Sequence, residues 1–163
     1  IFPGIYNSHY KKSKLVEKYF RKVDDAQSKV FGKKNNSLEL NKIKLVSLNY
    51  NDLNFLNLKD YKIFFNSHYY IVFGSSYIKG DLLNYLVKKK AINIHMGVAP
   101  YYKGTDCNFW ALLDDNKKLV GATIHYLSKE LDGGSIISHA YASKNQNPFL
   151  FSMSATKNAI NKL

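Results

Sequence analysis

Arginine is almost absent from this sequence, although the chain is strongly basic. Arg21 is the only arginine beside 23 lysines, and the formal net charge of the 163 residues is +12. Such a charge is typical of proteins that bind nucleic acids or anionic membranes. Guanidinium groups, however, are the usual means of recognising phosphates and bases, and 17 asparagines indicate a residue bias spread over the whole chain. The composition therefore does not favour nucleic acid as the partner.

Cysteine pairs, long apolar runs and the common nucleotide-binding glycine motifs are also lacking. Cys107 is the only cysteine, so no internal disulfide can form, which favours a reducing, cytoplasmic location. No apolar run approaches the roughly 18 residues of a membrane span, so no membrane partner is expected. The five histidines show no close pair with ligand spacing, so no metal is expected. Neither Gly-x-x-x-x-Gly-Lys-Ser/Thr nor Gly-x-Gly-x-x-Gly occurs.

The residues that are present suit one folded domain over residues 1–163. Hydrophobic residues make up 45% of the chain, with 13 tyrosines and 10 phenylalanines, which argues against disorder. A domain of this size can bury about two thirds of its unfolded surface. The chain starts at Ile1 without a signal peptide, so we expect it to be incomplete at its N-terminus. Its oligomeric state is not predicted.

The spacing of apolar residues predicts alternating helices and strands. Helices are expected at residues 10–31, 77–90, 105–115 and 149–163. Strands are expected at residues 43–48, 69–73, 91–95, 119–127 and 135–142. We expect Thr105 to be an N-cap and the strand at 69–73 to be buried on both faces. Residues 52–65 are ambiguous, helix being one interpretation. The order strand, loop, helix, strand from 69 to 95 fits a parallel crossover.

Polar side chains that can do chemistry lie at the end of the strand at 91–95. Asn93 and His95 are two residues apart, so on a strand both leave the same face. A strand that ends there presents them at its carboxyl edge, where α/β sheets bind ligands. Asp132 follows later, before two glycines. On these residues alone, a hydrogen-bonded core pair and a turn aspartate are the more frequent explanation, and Cys107 is interpreted as a packing residue.

Four short segments resemble the catalytic core of the folate-dependent formyltransferases in order, spacing and residue type. They read Asn-Ile-His (93–95), Pro-Tyr-Tyr-Lys-Gly (100–104), Gly-Ala-Thr-Ile-His (121–125) and Leu-Asp-Gly-Gly-Ser-Ile-Ile (131–137). This family includes methionyl-tRNA, glycinamide-ribonucleotide and sugar-nucleotide amine enzymes. A coarser similarity extends from about residue 31 to the end. The resemblance implies an α/β fold with a Rossmann-like, mostly parallel sheet flanked by helices.

The resemblance implies that Asn93, His95 and Asp132 are the catalytic trio. A substrate amine would attack the formyl carbon carried on N10 of 10-formyltetrahydrofolate, and the resulting oxyanion needs hydrogen-bond donors aimed at it. The Asn93 amide and a protonated His95 would supply these donors. Asp132 would hold the imidazole and help to relay a proton from the amine.

The folate-binding residues implied by the resemblance come from two segments. The loop after the strand at 69–73 would form one wall with Gly74, Ser75 and Ile78. The segment after the histidine is commonly Ser-Leu-Leu-Pro in the family, and it would lie along the pterin. The matching residues here are Gly97, Val98, Ala99 and Pro100.

Two departures from the family pattern are visible. The family's Tyr-Arg-Gly is Tyr102-Lys103-Gly104 here, which keeps the charge but loses the planar guanidinium fork. A full member also begins with a hydrophobic strand and a glycine-containing turn, and this unit is not found before the helix at 10–31. The resemblance thus implies that about one βα unit is missing.

These observations predict formyl transfer from 10-formyltetrahydrofolate to a primary amine. A small amine such as an amino sugar nucleotide is favoured, because the lysine charge is diffuse and no room remains after Leu163 for a tRNA-binding domain. The alternatives are a fragment of a methionyl-tRNA formyltransferase, a formyltetrahydrofolate hydrolase that uses water in place of the amine, and a non-catalytic folate- or RNA-binding module.

Overall fold

Four strands and four α-helices make up the regular part of the fold among the residues that the structure describes. The computed structural model describes residues 13–32, 44, 46–49 and 52–163. The helices are α1 (Lys14–Phe31), α2 (Gly80–Lys88), α3 (Cys107–Leu113) and α4 (Pro148–Ile160). The strands are β1 (Ile71–Phe73), β2 (Ile92–His95), β3 (Gly121–Tyr126) and β4 (Ile136–Tyr141). Short 3₁₀ helices span Asp52–Phe55, Lys62–Phe64 and Lys117–Leu119. Within this described part, no helix is long and apolar enough to cross a membrane.

The strands form one mixed sheet in the order β1-β2-β3-β4. β1 and β2 are parallel and are joined through α2, which confirms the predicted crossover. β3 is antiparallel to both β2 and β4. The α/β, Rossmann-like layering is confirmed, but the described sheet is mixed rather than mostly parallel. One reason is that residues 127–135, which join β3 to β4, are fewer than the dozen or so that a parallel crossover needs.

Most predicted elements are present, with shifted ends. The predicted helix at 10–31 begins at Lys14, its first three residues lying outside the described part, and it ends before Gly32. In the predicted strand at 43–48, residues 43 and 45 lie outside the described part, and the described residues there form no strand. The ambiguous stretch at 52–65 contains two of the 3₁₀ helices.

The predicted N-cap of α3 is wrong. Asp106, not Thr105, occupies the position before the helix, and its φ of 55° is left-handed. The chain turns at Asp106, so the helix can begin only at Cys107, and Thr105 instead lines a cleft.

Strand β1 is exposed where burial on both faces was expected. The side chains of Ile71 and Phe73 are on the same face, and these residues are 58% and 41% exposed. Among the described residues β1 pairs with β2 alone, so it forms an edge of the sheet. Val72 points the other way and packs against α2. A continuous apolar run therefore predicted the strand correctly but not the covering of its second face.

Apolar side chains pack helices against both faces of the sheet. On one face, Ile78 and the α2 leucines Leu82, Leu83 and Leu86 form a buried cluster with Ala91. On the other face most of the packed residues are small, so α4 can lie close to the strands. Ile94, Ala122 and Ala140 contact Ala159 of α4 there. α1 packs on the outside of α4.

Thr123 connects the segment after β2 to β3 by hydrogen bonds. Its Oγ1 donates a hydrogen bond to the Gly97 carbonyl at 2.7 Å and accepts one from the Ala99 N–H at 2.9 Å. Thr123 is completely buried. This one hydroxyl therefore fixes the backbone that passes behind His95.

Replacing Thr123 by valine should test this contact, because valine has nearly the same shape but no hydroxyl. Both buried backbone groups would lose a partner, at about 1–3 kcal/mol for each, so we expect the free energy of unfolding to fall by about 2–6 kcal/mol. Urea denaturation measures this change. Thr123→Ser keeps the hydroxyl and is the control, with an expected loss of about 1 kcal/mol for the missing methyl group. Equal stability of the two variants would contradict the role of the hydroxyl.

Candidate active site

The three predicted catalytic residues meet at one end of the sheet. Asn93 and His95 leave the same face of β2, and Asp132 reaches them from the loop between β3 and β4. His95 Nδ1 is 3.2 Å from Asp132 Oδ2, and Asn93 Nδ2 is 3.4 Å from Asp132 Oδ1. His95 is 6% exposed, and the side chain of Asp132 is 10% exposed. The carboxylate therefore joins both other residues in one largely buried network.

The local backbone holds the Asp132 carboxylate in its ionised form. Asp132 has a left-handed φ of 46°, and the Gly104 N–H donates a hydrogen bond to its Oδ2 at 2.9 Å. Burial acts to raise the pKa of Asp132. The hydrogen bond from the Gly104 N–H and the positive charge of His95 act in the opposite direction, and the pKa lies below the usual value.

His95 faces a hydrogen-bond acceptor at each ring nitrogen. Nδ1 faces the Asp132 carboxylate, and Nε2 lies 2.9 Å from the Tyr102 carbonyl oxygen. An imidazolium ring can donate at both positions, whereas a neutral ring would leave a lone pair against one acceptor. The surroundings thus suit the protonated form. The N–H at Nε2 is directed at a backbone carbonyl, so His95 would have to give up this bond before donating to an oxyanion.

Cys107 lies behind His95 and is a packing residue in this structure. It is 2% exposed, and its Sγ is 3.6 Å from His95 Nε2. Burial, together with the negative charges of Asp132 and Asp106, raises the pKa of the Cys107 thiol to about 11. The thiol is therefore protonated at neutral pH and is a poor nucleophile.

His125 is a fourth member of the network, and the pattern of residues did not predict a role for it. It lies on β3 directly opposite Asn93 and is 1% exposed. Its Nε2 is 3.0 Å from Asn93 Nδ2 and 3.8 Å from Asp132 Oδ1. Alternation along β3 could have shown that His125 and Thr123 share a face. The register that brings His125 to Asn93 is a long-range property that the pattern of residues does not reveal.

A cleft of about 530 Å³ opens beside this network. Its polar end holds Asn93, His95 and Asp132, and its apolar wall includes Val72 and Leu83. The predicted folate-binding residues Gly74, Ser75 and Ile78 also line it. A volume of this size suits a small organic ligand. In the described part of the chain, no group of three or more His, Cys, Asp or Glu residues could hold a metal ion.

The second predicted folate-binding segment lies outside the lining of this cleft. Gly97, Val98 and Ala99 are buried, and Pro100 is exposed. A Cβ atom on Gly97 would lie 2.5 Å from His95 Nε2, so the segment backs the imidazole closely. The structure brings the trio together with the loop after β1 but does not bring residues 97–100 to the cleft. Their contact with a folate stays a prediction.

Gly134 sets the path of the loop that carries Asp132. A Cβ atom there would lie 1.7 Å from the Tyr126 carbonyl oxygen, a backbone atom that cannot move aside cheaply. We expect Gly134→Ala to shift the loop and to lower the free energy of unfolding by about 1–3 kcal/mol, measured by urea denaturation.

Gly133→Ala is the matched control for this variant. The three atoms nearest to a Cβ atom at Gly133 all belong to the side chain of Glu130, which is exposed and can swing away. Its stability should stay within about 0.5 kcal/mol of the wild-type value. A Gly134→Ala protein as stable as Gly133→Ala would show that the loop tolerates the shift.

The lowered pKa of Asp132 predicts a loss of stability in acid. The stabilisation is present above the ordinary aspartate pKa of about 3.9 and is lost as the pH falls through the lower value of the folded chain. The difference in unfolding free energy between the wild type and Asp132→Asn should therefore be largest near neutral pH and should shrink towards acid. Urea unfolding across this range measures it, with the exposed Asp60→Asn as control. A difference that is independent of pH would contradict the ionised carboxylate.

Comparison with known proteins shows which family this part of the chain resembles. Residues 68–144 match a model of the formyl transferase family, and this range contains all four strands and the whole polar network. Two curated relatives are the mitochondrial formyltetrahydrofolate deformylases 1 and 2 of Arabidopsis thaliana. They are 34% and 47% identical to the chain over 86 and 49 residues, which is 53% and 30% of this chain. The matches cover 24% and 15% of those proteins, so the chain spans only a small part of their length.

Two solved structures share the fold. The formyltransferase PseJ from Anoxybacillus kamchatkensis, in complex with UDP-4,6-dideoxy-4-formamido-L-AltNAc and tetrahydrofolate, is 30% identical with a TM-score of 0.51. That match covers 60% of this chain and 51% of PseJ. A phosphoribosylglycinamide formyltransferase from Bacillus halodurans is 24% identical with a TM-score of 0.52, over 75% of this chain and 64% of its own. The segment at residues 68–144 is therefore similar to the formyl transferase family, and its fold is that of the folate-dependent formyltransferases.

Proposed function

We propose that the chain transfers a formyl group from 10-formyltetrahydrofolate to a primary amine, specifically a small amine such as an amino sugar nucleotide. The observation that carries the proposal is the buried network of Asn93, His95 and Asp132 at the polar end of the cleft. The similarity to PseJ, which was crystallised with tetrahydrofolate and a formamido sugar nucleotide, supports the donor and the class of acceptor.

The cleft fits a folate donor in size and in chemistry. Val72, Leu83 and Leu127 offer an apolar wall against which a flat heterocycle can pack. The loop after β1 contributes Gly74, which has no side chain, and Ser75, whose side chain is small. We assign donor binding to this loop and to Ile78. When bound, 10-formyltetrahydrofolate supplies the formyl group on its N10.

The Asn93 amide can orient the incoming amine. Its Nδ2 donates towards His125 Nε2 and Asp132 Oδ1. No hydrogen bond from the described residues reaches Asn93 Oδ1, so this oxygen is available to accept one from the amine N–H. Holding the amine in this way aims its lone pair at the formyl carbon, and correct orientation of reacting groups is a major source of catalysis.

His95 and Asp132 provide charge and a path for a proton. The imidazolium lies against the carboxylate at the polar end of the cleft, where its positive charge favours negative charge that develops on the formyl oxygen. The ionised Asp132 is directly bonded to the ring. It can therefore accept a proton from the amine, directly or through water, and pass it through His95 to N10 of the donor, whose bond to the formyl carbon breaks as tetrahydrofolate leaves.

A formyltetrahydrofolate deformylase activity is the second candidate. The identity of 47% and 34% to two deformylases favours it. Water is small enough to take the position of the amine and could be oriented by the same Asn93 oxygen, so the described network serves either reaction. The two activities differ in their products, namely a formylated amine or free formate.

A turnover assay with defined amines tests the proposal. The purified chain is incubated with 10-formyltetrahydrofolate and with either UDP-4-amino-4,6-dideoxy-L-AltNAc or glycinamide ribonucleotide, and products are followed by mass spectrometry. We expect the sugar nucleotide to be formylated. Alanine at Asn93, His95 or Asp132 should lower kcat/KM by about 10²–10⁴-fold, the size expected for loss of an acid–base or charge-stabilising group.

The chain offers a matched control for each variant. Asn84, His68 and Asp60 are exposed and lie outside the cleft lining, so alanine there should leave turnover unchanged. Undiminished turnover in all three site variants would refute the mechanism. Formate released at the same rate with and without an amine would identify a deformylase, and no consumption of the donor by the wild type would refute both activities.

A further inference from the structure

We infer that His125 is a positioning residue, whose neutral imidazole accepts a hydrogen bond from the Asn93 amide and thereby leaves Asn93 Oδ1 available to the substrate. The catalytic meaning of this inference rests on the proposed function. The hydrogen-bond arrangement itself does not, because it follows from the contacts of His125 and Asn93.

The hydrogen-bond partner of His125 Nδ1 identifies the tautomer of the ring. Its Nδ1 lies 2.9 Å from the carbonyl oxygen of Tyr126. A carbonyl oxygen can only accept, so Nδ1 carries the hydrogen. This carbonyl is held in place, because the Tyr126 N–H donates to the Ser135 carbonyl and Gly134 packs directly against the Tyr126 oxygen. A neutral His125 therefore has its lone pair at Nε2.

Two hydrogen-bond acceptors determine the orientation of the Asn93 amide. Asn93 Nδ2 has two hydrogens and faces two acceptors, His125 Nε2 at 3.0 Å and Asp132 Oδ1 at 3.4 Å. The reversed amide would place its oxygen against the lone pair of His125 and the charge of Asp132. Both contacts therefore disfavour the reversed amide. The contact with His125 is the shorter of the two.

The His125 ring both positions Asn93 and packs in the sheet, and these two roles have to be distinguished. His125 is 1% exposed and lies at an irregularity in the β3–β4 pairing, between Ile124 and His125. Any change of the ring can therefore disturb the sheet as well as Asn93. The two ring nitrogens make separate contacts, with the Tyr126 carbonyl and with Asn93. Side chains that replace one nitrogen at a time can distinguish the two roles.

His125→Gln and His125→Asn form the matched pair. Glutamine is long enough to present an oxygen near the position of Nε2, where it can accept from Asn93. Asparagine reaches only the position of Nδ1 and the Tyr126 carbonyl. With 10-formyltetrahydrofolate and UDP-4-amino-4,6-dideoxy-L-AltNAc, we expect kcat of the asparagine variant to fall about 10–100-fold with KM for the folate little changed. The glutamine variant should stay within about fivefold of the wild type. Folded variants of equal activity would overturn the positioning role.

A second measurement tests the arrangement in the unaltered chain. Nitrogen-15 NMR of the imidazole groups distinguishes the Nδ1–H tautomer from the Nε2–H tautomer, and His125→Gln identifies its signals by their loss. We expect the Nδ1–H form at neutral pH, and the Nε2–H form would overturn the inference. The result does not depend on turnover. An inactive wild-type chain with the Nδ1–H form would refute the proposed function but leave the arrangement of His125 and Asn93 intact.

Discussion

The Asp132 carboxylate joins two segments near the end of β2 to a loop that comes much later in the chain. One oxygen meets His95 and the Gly104 N–H, and the other meets the Asn93 amide. These contacts connect the end of β2, the loop that follows it and the loop between β3 and β4. A buried carboxylate is stable only when such partners offset its lost hydration. The chain therefore needs all three segments in place for the charge to be tolerated, and the geometry of the polar end of the cleft follows from this requirement.

Small residues allow these segments to come so close together. Gly97 passes directly behind the His95 ring, and Gly134 passes against the Tyr126 carbonyl. On the other face of the sheet, Ala122, Ala140 and Ala159 let α4 approach the strands. The absence of side-chain bulk at these positions is thus as much a part of the site as the polar groups, since a single methyl group at either glycine would displace a functional side chain or its support.

Local features of the site could be predicted from the sequence, and long-range ones could not. Alternation along a strand placed Asn93 and His95 on one face, and the resemblance to the formyltransferases added Asp132. The role of His125 depends on the register between β2 and β3, which no single segment specifies. The burial of Val98 and Ala99 depends in the same way on Thr123, a residue from another strand. Because register and cross-strand hydrogen bonds arise only when the segments assemble, patterns read along one segment miss them.

In the fold, too, local features were predicted correctly and long-range ones were not. The helices and strands were found because their apolar residues repeat locally, but the exposure of Ile71 and Phe73 follows from the place of β1 at an edge of the described sheet. The first turn of α3 was misjudged because the left-handed backbone at Asp106 is not visible in the residue pattern.

The burial of Cys107 gives the chain an internal reporter. It is the only cysteine, it is 2% exposed, and it lies against His95. A thiol reagent can reach it only when the packing behind the imidazole opens. The rate of labelling therefore measures how often this part of the molecule opens, without a probe having to be introduced, and a ligand that tightens the cleft would slow it.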